Sequence, residues 1–308
     1  MAVVFEEGGG IYRIKRSDRN SFEWIQAYVI VDEKTTIIEP GPAAFFPDIY
    51  EGMKEIGVDE DAVSYIVPTH VHLDHCGGTG SLTRRFPKAK VLAHERGAPH
   101  LMEPSRLVAA AQALYGEDFE EEFGPVLPVP PEQVVTTTTG DTLALGKREL
   151  RVICTPGHAP HHISLYDTLS RGLFCGEALG VWLAGSDVVL PGAAPPGFDL
   201  ELALETIDRL RALDAEVLFF AHYGVGRDVA KLMGLAKKNL QEYARFILAS
   251  LASGEDKGRI SNQIEKRIAE EVPPGLDWEH SFSPSAVEAY TLYFKKIGML
   301  DGQEALKQ

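Results

Sequence analysis

Thr69-His-Val-His-Leu-Asp-His-Cys-Gly-Gly78 sets four potential metal ligands, His70, His72, Asp74 and His75, within six positions. The run before it, Val63-Ser-Tyr-Ile-Val67, is β-branched and aromatic and reads as a strand that Pro68 ends. The ligands therefore fall on a loop at a strand's end, and Gly77 and Gly78 give the backbone freedom before the next helix. Side chains two apart in extended chain point the same way, so His70 and His72 can converge on one ion. Asp74 and His75 lie beyond a bend and can face a second ion. Imidazole suits zinc, iron and similar metals, and a carboxylate offsets their charge. A surface loop merely rich in histidine does not account for this spacing, so the stretch is read as a metal site.

The same arrangement, a strand running into a chemically equipped loop, recurs along the chain. Glu149–Thr155 reads as a strand leading into Thr155-Pro-Gly-His158, where Pro156 and Gly157 suit a sharp loop that presents one imidazole rigidly. Ile163–Tyr166 and Leu173–Cys175 read as a hairpin across Leu169-Ser-Arg-Gly172, followed by Gly176-Glu177. The buried strand expected over 216–221 runs into His222. His-x-His-x-Asp-His after a strand, with these landmarks in order over residues 27–222, resembles the signature of the metallo-β-lactamase superfamily of metallohydrolases.

That resemblance implies an α/β fold, the αββα four-layer sandwich, here with a C-terminal helical appendage. It implies that His70, His72 and His158 hold one ion, that Asp74, His75 and His222 hold another, and that Glu177 stands between them. Relatives usually have Asp where this chain has Glu177, whose extra methylene must be accommodated. Glu39-Pro-Gly41 stands where the superfamily's opening hairpin commonly ends in Asp-x-Gly, and Glu39 is expected to orient a ligand rather than bind metal. The implied cofactors are two divalent ions, Zn2+ or alternatively Fe or Mn. Such ions bring a shared water's pKa towards neutrality, so that hydroxide attacks an ester, thioester, lactone or phosphoester bond. Asp74 is the expected catalytic residue, accepting a proton as well as binding metal. Asp74 and the helical tail look more like the glyoxalase II and lactonase branches than like β-lactam hydrolases.

Two other enzyme classes share such metal loops. An iron-dependent oxidoreductase on the same scaffold is the alternative, because an altered bridging position favours a different metal or a single ion. The diiron relatives typically carry an acid where this chain has His72, which counts against them. A processing nuclease needs a basic surface, and the net charge of −15 argues against a polyanionic partner. Residues 227–308 carry 12 Lys+Arg and 12 Asp+Glu, so the acidic excess lies in residues 1–226. The expected partner is a small-molecule substrate, with a homo-oligomer left open.

The 308 residues suit a catalytic domain over 1–226 and a helical subdomain over 227–308. Val229, Leu232, Met233, Ala236, Leu240, Tyr243 and Ile247 recur at helical spacing, and further helices are expected over 257–272 and 284–298, separated by Pro273-Pro274-Gly275. Acids near Met1 where a signal peptide would be basic, no long apolar run, and three cysteines without paired spacing point to a cytoplasmic protein with reduced thiols. Cys76 is expected beside the site rather than in it, and His94 is expected to be structural.

Earlier in the chain, strands are expected over 11–16, 26–31 and 35–39 and a helix over 46–57. Helix 79–86 and strand 90–93 follow the metal loop. Residues 98–133 show no strand pattern and read as a lid or wall, with a helix over 103–115, the acidic run Glu117–Glu122 and a Pro-rich segment. Val134–Thr139, Thr142–Leu145 and Glu149–Thr155 are expected as strands joined by turns at Gly140-Asp141 and Gly146-Lys147, and 199–213 as an amphipathic helix. His161 and His162 are extra histidines, one of which could meet substrate, with packing the expected role of His162.

Overall fold

The strand Gln26–Ile30 is buried along its whole length, and its alternate side chains serve two different cores. Ala27 and Val29 join one apolar cluster, Tyr28 and Ile30 the other. This is the period-two signature of a strand covered on both faces. It recurs at Ile37 and Ile38, and again where Val91 and Ala93 oppose Leu92. The computed structural model describes residues 2–16, 25–272, 276, 278 and 282–300. They fall into two compact units. One is built from Met1–Cys154, His161–Gly176 and Ala215–Arg227, the other from Thr155–Pro160, Glu177–Asp214 and Asp228–Gln308, so no single cut in the chain separates them.

The first unit contains two sheets. Strands β1 (Val3–Gly8), β2 (Ile11–Lys15), β3 (Gln26–Ile30), β4 (Thr35–Ile38), β5 (Val63–Val67), β6 (Lys90–His94) and β7 (Val134–Thr137) lie side by side in chain order. Neighbours are antiparallel from β1 to β4 and parallel from β4 to β7. The second sheet comprises β8 (Thr142–Ala144), β9 (Glu149–Cys154), β10 (Ile163–Asp167), β11 (Gly172–Gly176), β14 (Val217–Phe220) and β15 (Val225–Gly226). Strands β12 (Val181–Trp182) and β13 (Val189–Leu190) form a separate hairpin in the other unit. Because β11 and β14 run parallel, both end at the same edge of their sheet.

Side chains from both sheets meet in one core: Tyr28, Ile30, Ile38 and Leu92 pack with Leu150, Val152, Leu165 and Phe174. Tyr28 is its hub. Its hydroxyl donates to the Phe220 carbonyl at 2.6 Å, and its ring meets Phe174 and Phe219 edge-on, each at 5.3 Å. Burial holds that hydroxyl's pKa well above the usual phenol value, so it stays a donor. The opposite face of the first sheet is covered by helices through Ile49, Met53, Leu82, Leu101 and Phe119.

The expected strands and the helices Phe46–Glu55, Thr79–Arg85 and Leu200–Arg211 are present within one to two residues at most ends. One connection differs. The turn at Gly140-Asp141 does not close a hairpin, because β7 pairs with β6 in the first sheet whereas β8 pairs with β9 in the second. Asp141 is the physical reason: its carboxylate accepts from the Thr138 amide at 2.8 Å and the Thr137 hydroxyl at 3.0 Å, making a corner that carries the chain between sheets. Residues 98–133 contain no strand, and the helix Ser105–Tyr115 is there. The acidic run is itself partly helical over Phe119–Phe123, since Phe119 and Phe123 stack at 5.3 Å on one buried face while Glu120 and Glu121 turn outward.

In the second unit the helix Val229–Ala252 packs with Leu200–Arg211 and with Lys257–Glu271 and Phe282–Lys296, which also pack on each other. Tyr290 donates to the Leu240 carbonyl at 2.9 Å, and Asn239 donates to the Val189 carbonyl at 2.7 Å. The break expected at Pro273-Pro274-Gly275 lies outside the described residues. Among the described residues no helix is long and apolar enough to cross a membrane.

Arg148, 4 % exposed, ties three turns together. It donates to Asp167 Oδ2 at 2.9 Å, to the Gly9 carbonyl, and faces Asp32 Oδ2 at 3.4 Å. Asp167 is wholly buried. Arg148→Met therefore strands a buried carboxylate and should cost about 3–5 kcal/mol in urea denaturation. A loss under about 1 kcal/mol, the range of exposed ion pairs, would contradict that account.

Candidate metal centre

Strand β5 ends at Val67, and the chain bends through Thr69 and His70 into the one-turn helix Leu73–Cys76. His72 is the N-cap residue of that turn, so Asp74 and His75 follow within it. Close packing fixes the loop from behind. A Cβ on Gly77 would lie 2.5 Å from the Leu73 carbonyl oxygen, and one on Gly78 would lie 2.7 Å from that of Pro40. The Pro40–Gly41 segment is in turn held by bonds from the Gly41 amide to the His75 carbonyl and from the Gly78 amide to the Gly41 carbonyl.

Glu39 lies under this loop, 2 % exposed and in the left-handed region at φ 57°. Its two carboxylate oxygens are assigned separately. Oε1 accepts from the Thr69 hydroxyl at 2.7 Å, and Oε2 lies 3.0 Å from His75 Nδ1. A carboxylate only accepts, so in the neutral ring the closer contact puts the proton of His75 on Nδ1 and leaves Nε2 as a lone pair. Thr69 has one hydrogen, already given to Glu39. Its oxygen therefore accepts from His70 Nδ1 at 3.0 Å, and His70 Nε2 is a lone pair as well. One buried carboxylate thus fixes the tautomer of two histidines.

Those lone pairs lie close to further potential ligand atoms. His70 Nε2 lies 2.9 Å from His72 Nδ1, and His75 Nε2 lies 3.2 Å from Asp74 Oδ2. His222 follows β14, whose neighbour in the loop is pinned when the Gln26 amide donates to the Ala221 carbonyl at 2.9 Å. Its Nε2 lies 3.9 Å from the same Asp74 oxygen, and one donor atom each from Asp74, His75 and His222 lies within 4.8 Å of the others. Converging lone pairs repel unless a cation sits among them, a proton or a metal ion. A nitrogen–oxygen set with oriented imidazoles fits a divalent ion of the zinc or iron kind.

The second unit repeats the device. The loop Pro156-Gly157 presses on the helix Leu200–Arg211: a Cβ on Gly157, at φ 140°, would come within 2.4 Å of Ala203 Cα. The Thr206 hydroxyl donates to the Pro156 carbonyl at 2.6 Å, and the Asp199 amide to the Gly157 carbonyl at 2.8 Å. His158, 3 % exposed, is presented from this clamp. Its Nδ1 donates to the Gly192 carbonyl at 3.2 Å, and in the neutral ring this leaves Nε2 as a lone pair, 2.9 Å from Glu177 Oε2. Glu177 begins the turn after β11, closed by a bond from the Gly180 amide to the Glu177 carbonyl at 3.0 Å.

The structure thus groups His70 with His72, Asp74 with His75 and His222, and His158 with Glu177. Glu39 orients ligands, as expected. His94 accepts from the Arg96 amide at 3.1 Å and shapes a turn. Cys76 is 4 % exposed in the apolar core, and burial pushes its thiol well above the usual range. Two participants were not foreseen. Thr69 stands in the motif itself, one residue before the first histidine. The Gly192 carbonyl is backbone, distant in sequence, and carries no residue-type signal.

The family model described as the metallo-β-lactamase superfamily matches residues 25–222. A metallo-β-lactamase fold-containing protein, ST1585, of Sulfurisphaera tokodaii is 28 % identical over 221 residues, 70 % of this chain and 79 % of that protein. A hydroxyacylglutathione hydrolase of Synechococcus sp. is 28 % identical over 199 residues, covering 63 % of this chain and 62 % of that enzyme. In fold, the chain is similar to the metallo-β-lactamase family protein TTHA1429 of Thermus thermophilus, with TM-score 0.70, 23 % identity and 94 % of each chain covered. Most of the matched stretch is the pair of sheets and the histidine loops just described, and the chain belongs to the metallo-β-lactamase superfamily.

Proposed function

We propose that the protein is a metal-dependent hydrolase of acyl compounds, cleaving an ester, thioester or lactone. The observation that carries this reading is the set of imidazoles whose Nδ1–H groups point to Glu39, Thr69 and the Gly192 carbonyl, so that in the neutral rings each Nε2 is left as a lone pair beside further potential ligands. In this reading His70, His72 and His158 would hold one divalent ion, Asp74, His75 and His222 would hold a second, and Glu177 would supply a carboxylate to both. When bound, ions of this kind lower the pKa of water towards neutrality and polarise the bond under attack. Asp74, the half-buried acid of its group, takes the proton released as water adds to the acyl carbon. Glu39 keeps His75 and His70 in the tautomers that binding requires, and His158 is held likewise by Gly192. The similarity to a hydroxyacylglutathione hydrolase supports thioesters as the first substrates to try. The acidic net charge disfavours polyanionic phosphoesters. Histidine at position 72 favours hydrolysis over diiron oxidoreduction. A cytoplasmic location and zinc as the native metal complete the proposal.

Elemental analysis of protein purified without added metal, with a panel of thioesters, esters and lactones, tests this reading. His70→Ala and His158→Ala should each lose most metal and turnover while the far-ultraviolet spectrum is unchanged; full activity in either would refute the site. Acidification should release metal as the imidazoles protonate.

Glu39→Gln should weaken metal binding about 10- to 100-fold, the range for lost partners behind a ligand. A Gln in that place cannot accept from both Thr69 and His75. Wild-type affinity in this variant would show that the relay does not set the ligands. For Glu177, two bound ions are expected in the wild type, and Glu177→Gln should weaken the second more than the first, because the anionic bridge offsets their repulsion. One tight ion in both proteins would rule out bridging.

A further inference from the structure

The helix Ser105–Tyr115 is apolar on its outer side as well as its inner one. Leu107, Val108, Ala111 and Tyr115 pack on the core, and the helix adjoins the one-turn helix Leu73–Cys76 that carries Asp74 and His75. Even these four are only partly buried, and no residue of the helix is fully covered. On the outer side Ala109, Ala110, Ala113 and Leu114 are all exposed. Leu114, at 78 %, is the most exposed large apolar side chain among the described residues. A helix apolar on all sides is ordinarily covered on all sides. Charges stand at the two ends of this face. Arg106 lies one turn before Ala109 and Ala110, and Glu117 and Asp118 follow the last turn. All three are exposed, and among the described residues none has a side-chain partner. Arg106 is also the only Lys or Arg between Arg96 and Lys147.

We infer that this face binds a second copy of the chain, helix against antiparallel helix about a two-fold axis. Centred between Ala111 and Gln112, that pairing sets Ala110 against Ala113 of the second copy, Ala109 against Leu114, and Arg106 against Glu117. Two-fold symmetry makes each of these contacts twice. The alanines allow the helix axes to approach to about 8 Å, and each Leu114 fills the space over an alanine. The charges decide the direction, because a parallel pair would set Arg106 against Arg106 and Glu117 against Glu117. A net charge of −15 on each copy opposes association, but salt at ~0.15 M screens it beyond about 8 Å, so the charges at the contact prevail. An 11-residue helix is about 16 Å long, too short to bury the roughly 1,200–2,000 Å² of a stable complex. The dimer is therefore weak, with Kd in the micromolar range.

Sedimentation equilibrium of the full chain over about 1–500 µM at ~0.15 M salt is the test. The wild type should pass from monomer to dimer within that range. Leu114→Arg places two charges in the apolar contact and should leave only monomer. Arg106→Glu sets acid against acid at both ends, and Glu117→Arg sets base against base. Each alone should raise Kd about 10- to 30-fold, as two attractions become two repulsions. Mixed in equal amounts, these two variants again present opposite charges at both ends and should associate about as well as wild type. All three side chains are exposed, so helicity and thermal midpoint should match wild type. Should a charged variant misfold, Leu114→Ser and Arg106→Gln make the same comparison with smaller shifts. Four results would each overturn the inference: a wild type monomeric throughout, a dimer that the Leu114 variants leave intact, charge variants that dimerise as well as wild type, or a mixture that stays monomeric.

Discussion

The carboxylate of Glu39 is the constraint on which the centre depends. It is buried, it sits on strained backbone, and it lies outside both groups of converging donor atoms. Its two oxygens nevertheless decide where the protons of His70 and His75 reside, one directly and one through Thr69. A tautomer is worth more here than position alone, because an imidazole with its proton on the wrong nitrogen cannot bind a cation however well it is aimed. The left-handed residue costs of order 1–3 kcal/mol of local strain. Surrounding hydrogen bonds hold it: the Glu39 amide donates to the Val67 carbonyl, and the Gly41 amide to that of His75.

The sheets explain how such a device can be assembled from distant sequence. Parallel β4 and β5 end together, so Glu39 and the loop after Val67 emerge side by side. Parallel β11 and β14 do the same for the chain entering Glu177 and His222. Tyr28 and the bond from the Gln26 amide to the Ala221 carbonyl tie the start of β3 to the His222 loop. Strand register, set by apolar alternation on both faces, is thereby passed on to the side chains beyond the strand ends.

Much of this was legible in the sequence because metal ligands are dense in information. Four in six positions after a β-branched run admit few other readings, and strand patterns before His158 and His222 repeated the theme. The unread parts share a physical reason. The corner at Asp141 looks like a hairpin locally, and only sheet membership, a long-range property, shows that β7 and β8 part. The helix Phe119–Phe123 hid behind its acids, since two phenylalanines four apart are a slight signal beside a run of charge. The Gly192 carbonyl could not be foreseen at all, because a backbone acceptor has no residue type. Glu39 was placed by its likeness to an Asp-x-Gly turn, but its double role required atomic distances.

The most direct test of the account is the tautomeric state of the histidine rings, read by long-range proton–nitrogen NMR on metal-free protein at mildly alkaline pH and again during zinc titration. His70, His75 and His158 should each carry the proton on Nδ1 before metal is added, and zinc should shift their Nε2 resonances while leaving the Nδ1–H signals in place. Resonances showing Nε2–H for His75 or His70 in the neutral ring, or zinc shifting Nδ1 instead, would contradict the claim that Glu39 prepares these residues to bind.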